Sequence, residues 1–134
     1  MTTKKKNEQG FSLVELLVVV SIVGILGTVA IGNFQNYRLK AINMLAKTDL
    51  KNGLIAEEAY FADNSVYLAC SSVIDCENIL IGFEGSKGSD GQPNASLFEF
   101  TIPTKDQLLG TAKHKIGTKT YSFDTAVGGS ITEL

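Results

Sequence analysis

Few residues of this sequence combine a reactive side chain with the spacing that chemistry requires. The single histidine, His114, lies between two lysines in an alternating stretch, where we predict an exposed strand residue. Asp90 and Asn94 stand in a glycine-rich loop, but their spacing does not match a calcium-binding loop. We find no nucleophile motif, phosphate-binding loop or cluster of metal ligands in the sequence. We therefore predict neither an enzyme nor a cofactor or metal site.

Two cysteines could form a covalent link. Cys70 and Cys76 are separated by five residues, and an even count of cysteines in a short exported chain favours a disulfide. Two free thiols, one of them buried, are the alternative. A tetrahedral metal site needs four ligands, and the histidine is far away in the sequence. We predict a disulfide between Cys70 and Cys76, on condition that the chain is exported.

A carboxylate inside an apolar segment is the third candidate. Residues 11–31 form an apolar run in which Glu15 is the only charged residue. As a helix this run would be about 30 Å long, which is enough to cross the hydrocarbon core of a membrane. A carboxylate in such a helix costs about 2–3 kcal/mol and usually marks a function that involves a partner. Because Glu15 lies one turn from Phe11, its position suggests a partner at a new N-terminus.

Three lysines, Lys4–Lys6, precede the apolar run and should hold the N-terminus in the cytoplasm. The residues after Gly32 would then lie outside the membrane, and no second apolar run of this length follows. This pattern predicts a single-pass protein. A secretory signal cleaved near residues 28–30 and an uncleaved membrane anchor are alternatives. Neither of them requires Glu15.

The segment Gly10–Glu15 (GFSLVE), followed by the apolar run, resembles the N-terminal signal of type IV pilins and pseudopilins. The resemblance implies that a prepilin peptidase cuts after Gly10 and that Phe11 becomes a methylated N-terminus. It also implies that Glu15 pairs with the amine of Phe11 in a neighbouring subunit, and such a buried pair would fix the register of a helical polymer. The implied partners are further copies of the chain, the peptidase, the inner membrane and the pilus assembly platform.

Beyond the apolar run the pattern predicts an amphipathic continuation of the same helix, from about Phe11 to Ala62. The apolar residues at helical spacing are Leu39, Ile42, Ala46, Leu50, Leu54 and Phe61. We divide the chain into a cleaved leader (1–10), a membrane-spanning and assembly helix (11–32) and a globular pilin head (33–134). The head includes the amphipathic half of the helix.

Two features of this helix have alternative interpretations. Glu57 falls on the apolar stripe, where it could reach solvent or contact another subunit, although Glu57 and Glu58 together are most simply a solvated face. Gly24, Gly27 and Gly32 could permit local melting of the helix in a fibre, or they could permit close helix packing. Both interpretations of the glycines remain open.

Alternation of apolar and polar residues predicts strands in the last third of the chain. Leu97–Ile102 alternates, with Leu97, Glu99 and Thr101 on one face and Phe98, Phe100 and Ile102 on the other. Pro103 should end this strand. Residues 112–116 and 118–124 are predicted to form a hairpin that turns at Gly117.

Turn residues complete the predicted head. Gly128 and Gly129 should lead into a last short strand, and residues 85–94 form a flexible surface loop by composition. Asn94 begins a formal glycosylation sequon, which is a frequent chance match. The predicted fold is α+β: a long N-terminal helix packed on a small antiparallel sheet, which is the pilin fold.

Charge and resemblance together predict a function. The chain has 12 Lys and Arg against 14 Asp and Glu, so no basic surface for nucleic acid is evident. The resemblance predicts a structural subunit of a type IV pilus, located in the inner membrane before assembly and in a surface filament afterwards. Adhesion, twitching motility or DNA uptake would be the filament's task. A pseudopilin of a type II secretion system and a single-pass protein with a ligand-binding head are the alternatives.

Overall fold

The computed structural model of the protein describes residues 10–134. The predicted leader, apart from Gly10, lies outside the described residues. The chain divides into two compact units between Tyr37 and Arg38. Helix α1 runs from Leu13 to Asn64, so its apolar part belongs to the first unit and its amphipathic part belongs to the second. The predicted helix is confirmed to within two residues at each end.

The second unit contains a four-stranded antiparallel sheet in which the strands are neighbours in chain order. The strands are β1 (Ala95–Thr104), β2 (Gln107–His114), β3 (Thr120–Asp124) and β4 (Thr132–Glu133). The predicted α+β fold is therefore confirmed, and so are the hairpin between β2 and β3 and the short last strand. β2 begins five residues earlier than the sequence pattern predicted, because its first half has no clear alternation of apolar and polar residues.

Pro103 does not end β1, as we had expected. The regular pairing with β2 is interrupted between Thr101 and Thr104, and Pro103 lies in this irregular stretch. A proline is tolerated there because its missing N–H is not needed by the hydrogen-bond ladder. The predicted faces of the strand are correct, since Phe98 and Phe100 are buried.

A short helix, α2 (Val73–Ile79), was not predicted. It begins at Ser72, whose hydroxyl accepts a hydrogen bond from the backbone N–H of Asp75 at 3.2 Å. The Asp75 carboxylate in turn accepts from the backbone N–H of Ser71 at 2.8 Å. A serine followed three residues later by a carboxylate is typical of a helix start, so the sequence did contain a signal for α2. A single turn of 3-10 helix, Thr125–Val127, follows β3.

The core of the head lies between α1 and the sheet. The buried residues of α1 are Asn43, Ala46, Asp49, Leu50, Gly53, Ala56 and Glu57. This stripe is rotated relative to the predicted one, because Gly53 leaves room for two rings of β1. A Cβ atom added to Gly53 would lie 2.7 Å from Cε2 of Phe100 and 3.0 Å from Cζ of Phe98. Leu54 and Phe61, which we had placed on the stripe, are only partly buried.

The prediction that His114 is an exposed strand residue is wrong, since only 7% of its surface is exposed. Alternate residues of β2 face the core, beginning with Leu108 and ending with His114. The Nδ1 atom of His114 accepts a hydrogen bond from the backbone N–H of Ile116 at 3.2 Å. The two flanking lysines made the stretch look solvated, but strand alternation determines which side chain points inward.

Residues 85–94 are more tightly held than their composition suggested. The backbone N–H of Gly88 donates to the carbonyl of Gln92 at 2.8 Å, and that of Asn94 donates to the carbonyl of Ser86 at 2.9 Å. Gly85 is buried, and a Cβ atom there would overlap Cγ1 of Val73. The base of this loop therefore forms part of the packed head.

Candidate assembly site and polar contacts of the head

Helix α1 begins with two reciprocal hydrogen bonds between Ser12 and Glu15. The hydroxyl of Ser12 accepts from the backbone N–H of Glu15 at 3.2 Å, and Oε2 of Glu15 accepts from the backbone N–H of Ser12 at 2.8 Å. This arrangement is a capping box, which satisfies two N–H groups that have no partner inside the helix. The sequence interpretation missed it, although serine and glutamate at this spacing are its usual signature.

The capping box is a structural role of Glu15 in addition to its predicted pairing with the amine of Phe11 in another subunit. Its carboxylate is exposed and bonds to a backbone group one residue after Phe11, whose ring is also exposed. The predicted cleavage after Gly10, the methylation of Phe11 and the pairing of Glu15 with the amine of Phe11 in another subunit stay predictions.

In the first unit, apolar side chains are exposed on all sides of the helix. α1 contains a stretch that is long and apolar enough to cross a membrane, and none of that stretch is buried. The exposed large side chains include Leu13, Val14, Leu16, Leu17, Val18, Val19, Val20, Ile22, Val23, Ile25, Leu26, Val29, Ile31 and Phe34. A surface of this kind marks contact with lipid or with other protein chains, because water would solvate it poorly.

Cys70 and Cys76 are joined by a disulfide, and both are buried. The bond closes a small loop that contains the start of α2. The backbone of Cys70 also exchanges two hydrogen bonds with Phe100 of β1, at 3.0 and 2.8 Å. The disulfide therefore ties α2 to the edge of the sheet.

Glu57 is completely buried, so the interpretation of Glu57 and Glu58 as a solvated face is wrong for Glu57. Oε2 of Glu57 accepts a hydrogen bond from the backbone N–H of Leu68 at 3.0 Å. Oε1 has no hydrogen-bond partner among residues 10–134. Burial raises the pKa of Glu57 to about 7, against the opposing effect of the hydrogen bond from Leu68. The nearby Glu58 raises this pKa further.

Two further polar residues of α1 anchor loops of the head. Asp49 accepts two hydrogen bonds from Ser86, from its N–H at 3.1 Å and from its hydroxyl at 2.7 Å. Burial raises the pKa of Asp49, although these two hydrogen bonds partly oppose the effect. Asn43 accepts from the backbone N–H groups of Thr118 and Lys119 at 3.0 and 3.3 Å. These contacts fasten the helix to the loops of the head.

Chemistry other than packing has little support in the head. In the part of the chain that the structure describes, no three His, Cys, Asp or Glu side chains are grouped as metal ligands would be. Asp90 accepts a hydrogen bond from the backbone N–H of Gln92 at 3.0 Å, and so stabilises its own turn. Asn94 is half-buried, and its side-chain amide lies 3.5 Å from the hydroxyl of Ser86.

Comparison with known proteins gives the family. The sequence profile of the prokaryotic N-terminal methylation motif matches residues 5–31. The type IV major alpha-pilin of Moraxella bovis is 30% identical over 115 residues, which cover 84% of this chain and 70% of that pilin. This chain belongs to the type IV pilin family.

Two further relatives match less than half of the length of this chain. The type IV major pilin protein PilA of Myxococcus xanthus is 39% identical over 59 residues, which cover 44% of this chain and 27% of that protein. The type II secretion system core protein G of Vibrio cholerae is 39% identical over 64 residues, covering 48% of this chain and 44% of that protein. The chain thus spans about a quarter and less than half, respectively, of these two relatives.

Proposed function

We propose that this protein is a structural, non-enzymatic subunit of a type IV pilus. The observation that carries the proposal is the apolar surface around the first part of α1, whose first turn is capped by the carboxylate of Glu15. Lipid would cover this surface before assembly, and the same surface of identical subunits would cover it in the fibre. The match to a major pilin over 84% of the chain, head included, supports the pilus over a secretion system.

In the proposed function, the chain is first a membrane-anchored precursor and then a subunit of a filament. As a precursor it is anchored in the inner membrane, with residues 1–10 in the cytoplasm and the head, from residue 33 onward, outside. A prepilin peptidase removes the leader after Gly10 and methylates Phe11. The assembly platform then transfers the subunit into a surface filament. There the carboxylate of Glu15 forms an ion pair with the charged amine of Phe11 in a neighbouring subunit and accepts a hydrogen bond from it.

The N-terminus of subunits in sheared surface filaments tests this proposal. We expect mass spectrometry to find a chain that begins at methylated Phe11, in a fraction that contains fibres. Gly10→Ala should leave the uncut precursor in the membrane. A full-length chain absent from fibres would refute the proposal and favour a single-pass protein with a ligand-binding head. A cleaved chain that forms no surface fibre but is needed for protein secretion would favour a pseudopilin.

Glu15 has a capping role and a proposed pairing role, which two substitutions separate. Glu15→Gln keeps a side-chain oxygen for the capping box but removes the charge. Ser12→Ala removes one capping bond but keeps the charge. If the charge pairs with the amine of Phe11, Glu15→Gln should be cleaved normally and yield few fibres, whereas Ser12→Ala should assemble. Normal fibres from Glu15→Gln would refute the pairing.

A further inference from the structure

Three exposed or half-exposed charged residues lie along one face of α1 within the head: Lys47, Lys51 and Glu58. Their spacings are four and seven residues. At 3.6 residues per turn, these spacings keep all three within about 20° of one line on the helix surface. The two cations come first along the helix, and the carboxylate comes last. We call these three residues the charged stripe.

The contacts of the second unit do not neutralise the charged stripe. The salt bridges found within residues 10–134 join Lys87 to Glu77 and Glu84, and Lys119 to Glu133. None of them includes a residue of the charged stripe.

The contacts that the charged stripe does make are to neutral groups. The amine of Lys47 lies 6.0 Å from the centre of the Tyr121 ring. Glu58 accepts a hydrogen bond from the hydroxyl of Tyr67 at 3.1 Å. Beside the cationic end of the stripe lies a shallow cavity of about 330 Å³ that is also lined by the ion pair of Lys119 and Glu133. The stripe therefore has a positive end, a negative end and an open surface next to the positive end.

We propose that the charged stripe is a contact between two copies of this chain that point in the same direction. Glu58 of one copy lies against Lys51 and Lys47 of the next copy. The inference rests on the proposed function, because subunits related by one repeated operation along a fibre all point the same way. Each copy then uses its positive end with one neighbour and its negative end with the other, so the contact repeats along the fibre.

The spacing of the charges sets the shift between the two copies. A rise of about 1.5 Å per residue places Glu58 about 10 Å beyond Lys51 and about 16 Å beyond Lys47 along the axis. Neighbours shifted by an amount between these values bring the opposite charges level. With no shift, lysines would face lysines, which is repulsive. The stripe therefore selects the stagger of the heads.

A second copy fits the charged stripe better than a polyanion does. A polyanion would be attracted by Lys47 and Lys51 but repelled by Glu58 on the same line. A single exposed ion pair strengthens association by at most about fivefold. The charged stripe therefore adds little affinity at each contact, but it favours one arrangement of neighbouring subunits over the others. This preference is repeated at every subunit of the fibre.

Charge reversal in the full-length chain tests the contact. Fibres sheared from cells that express each variant as their only copy are quantified against the amount of subunit in the membrane. We expect Glu58→Lys to lower the fibre yield about tenfold, because attraction becomes repulsion. Lys47→Glu combined with Lys51→Glu should lower it similarly. All three substitutions together restore opposite charges and should bring the yield back to within about twofold of the parent.

Two control variants separate the contact from folding. Asp63→Lys makes the same charge change on the same helix, about 140° away from Glu58, and should assemble like the parent. Tyr67→Phe removes the hydrogen bond to Glu58 but leaves its charge, and it should also assemble like the parent. Low yield from either control would overturn the inference, since the loss would not depend on the charge of the stripe.

The remaining outcomes distinguish this contact from the proposed function. Parental yields from all the reversals, or no recovery in the triple variant, would overturn the contact and leave the pilus subunit intact. Reduced yield from the two lysine reversals alone, with none from Glu58→Lys, would indicate an anionic partner and would also overturn it. Absence of fibres from the parent chain would overturn the proposed function and the contact together.

Discussion

The buried carboxyl of Glu57 leads to a prediction about stability and pH. Glu57 is fully buried and has one hydrogen bond, from the backbone of Leu68. A carboxylate that is poorly satisfied in this way destabilises the folded head whenever it is ionised. Glu57→Gln has nearly the same shape, keeps an acceptor for Leu68 and cannot ionise. We expect this substitution to stabilise the head at high pH.

The size of the effect follows from the pKa of Glu57, which burial raises from 4.5 to about 7. Because the folded chain holds this proton more tightly than the unfolded chain does, protonation favours folding. The contribution is fully present below about pH 4.5 and is lost as the pH rises through 7. One pKa unit corresponds to about 1.4 kcal/mol, so the parent should lose about 3 kcal/mol relative to Glu57→Gln between pH 4 and pH 8.

Urea unfolding of the full-length chain in a non-ionic detergent, followed by tyrosine fluorescence at several pH values, measures this difference. Asp49 also has a raised pKa, but it is present in both chains and cancels in the comparison. Asp63→Asn is the matched control, because this carboxylate of the same helix is exposed and is not among the groups that raise the pKa of Glu57, so the pH dependence should stay as in the parent. A difference between parent and Glu57→Gln that stays constant within about 0.5 kcal/mol from pH 4 to pH 8 would refute the reasoning.

Three further variants test the packing of the head. Gly53→Ala would place a Cβ atom 2.7 Å from the Phe100 ring, so we expect a loss of about 1–3 kcal/mol and a lower Tm; an unchanged Tm would contradict this close approach. Replacing both Cys70 and Cys76 by serine opens a loop of about seven residues and should cost about 2 kcal/mol in urea unfolding. A reducing agent should lower the parent to the same midpoint, and no change on reduction would contradict the role of the disulfide. Ser86→Ala removes a 2.7 Å hydrogen bond to a buried carboxylate, and we expect a loss of about 1.5–3 kcal/mol; a loss below about 0.5 kcal/mol would show that water replaces the hydroxyl.

The sequence predicted the long helix and the faces of the first strand, because both depend on local periodicity. The run from Leu13 to Asn64 contains no proline and keeps helical spacing. Phe98 and Phe100 alternate with polar residues, and both are buried in the structure. Such patterns record which side of an element meets the core, and they need no knowledge of the partner element.

Which residues of α1 are buried could not be predicted from polarity alone. Gly53 lets the Phe100 ring approach the helix, and this rotates the buried stripe toward Asp49, while Glu57 stays on it and is buried. The hydrogen bonds that make the burial of these carboxylates tolerable come from Ser86 and Leu68. These partners are distant or lie beyond the end of the helix, so the helix pattern contains no trace of them.

The N-terminal motif was recognised through resemblance, whereas part of its local chemistry was present in the sequence and was overlooked. The pair Ser12 and Glu15 has the spacing of a capping box, and Ser72 and Asp75 repeat that spacing at the start of α2. In both cases the signal consists of two polar residues, which the apolar periodicity does not include. Capping residues are thus the signal by which the short helix and the local partner of Glu15 could have been found.

The strand order of the sheet has a consequence for how the head folds. Each strand pairs with its neighbour in the chain, and the connection from β1 to β2 has only two residues and that from β2 to β3 five. Such short loops close within microseconds and at little entropic cost. The residues of α1 that the sheet covers lie much farther back in the chain, so docking on the helix should be the slow step. Since synthesis produces α1 first, the sheet can assemble strand by strand against a helix that is already made.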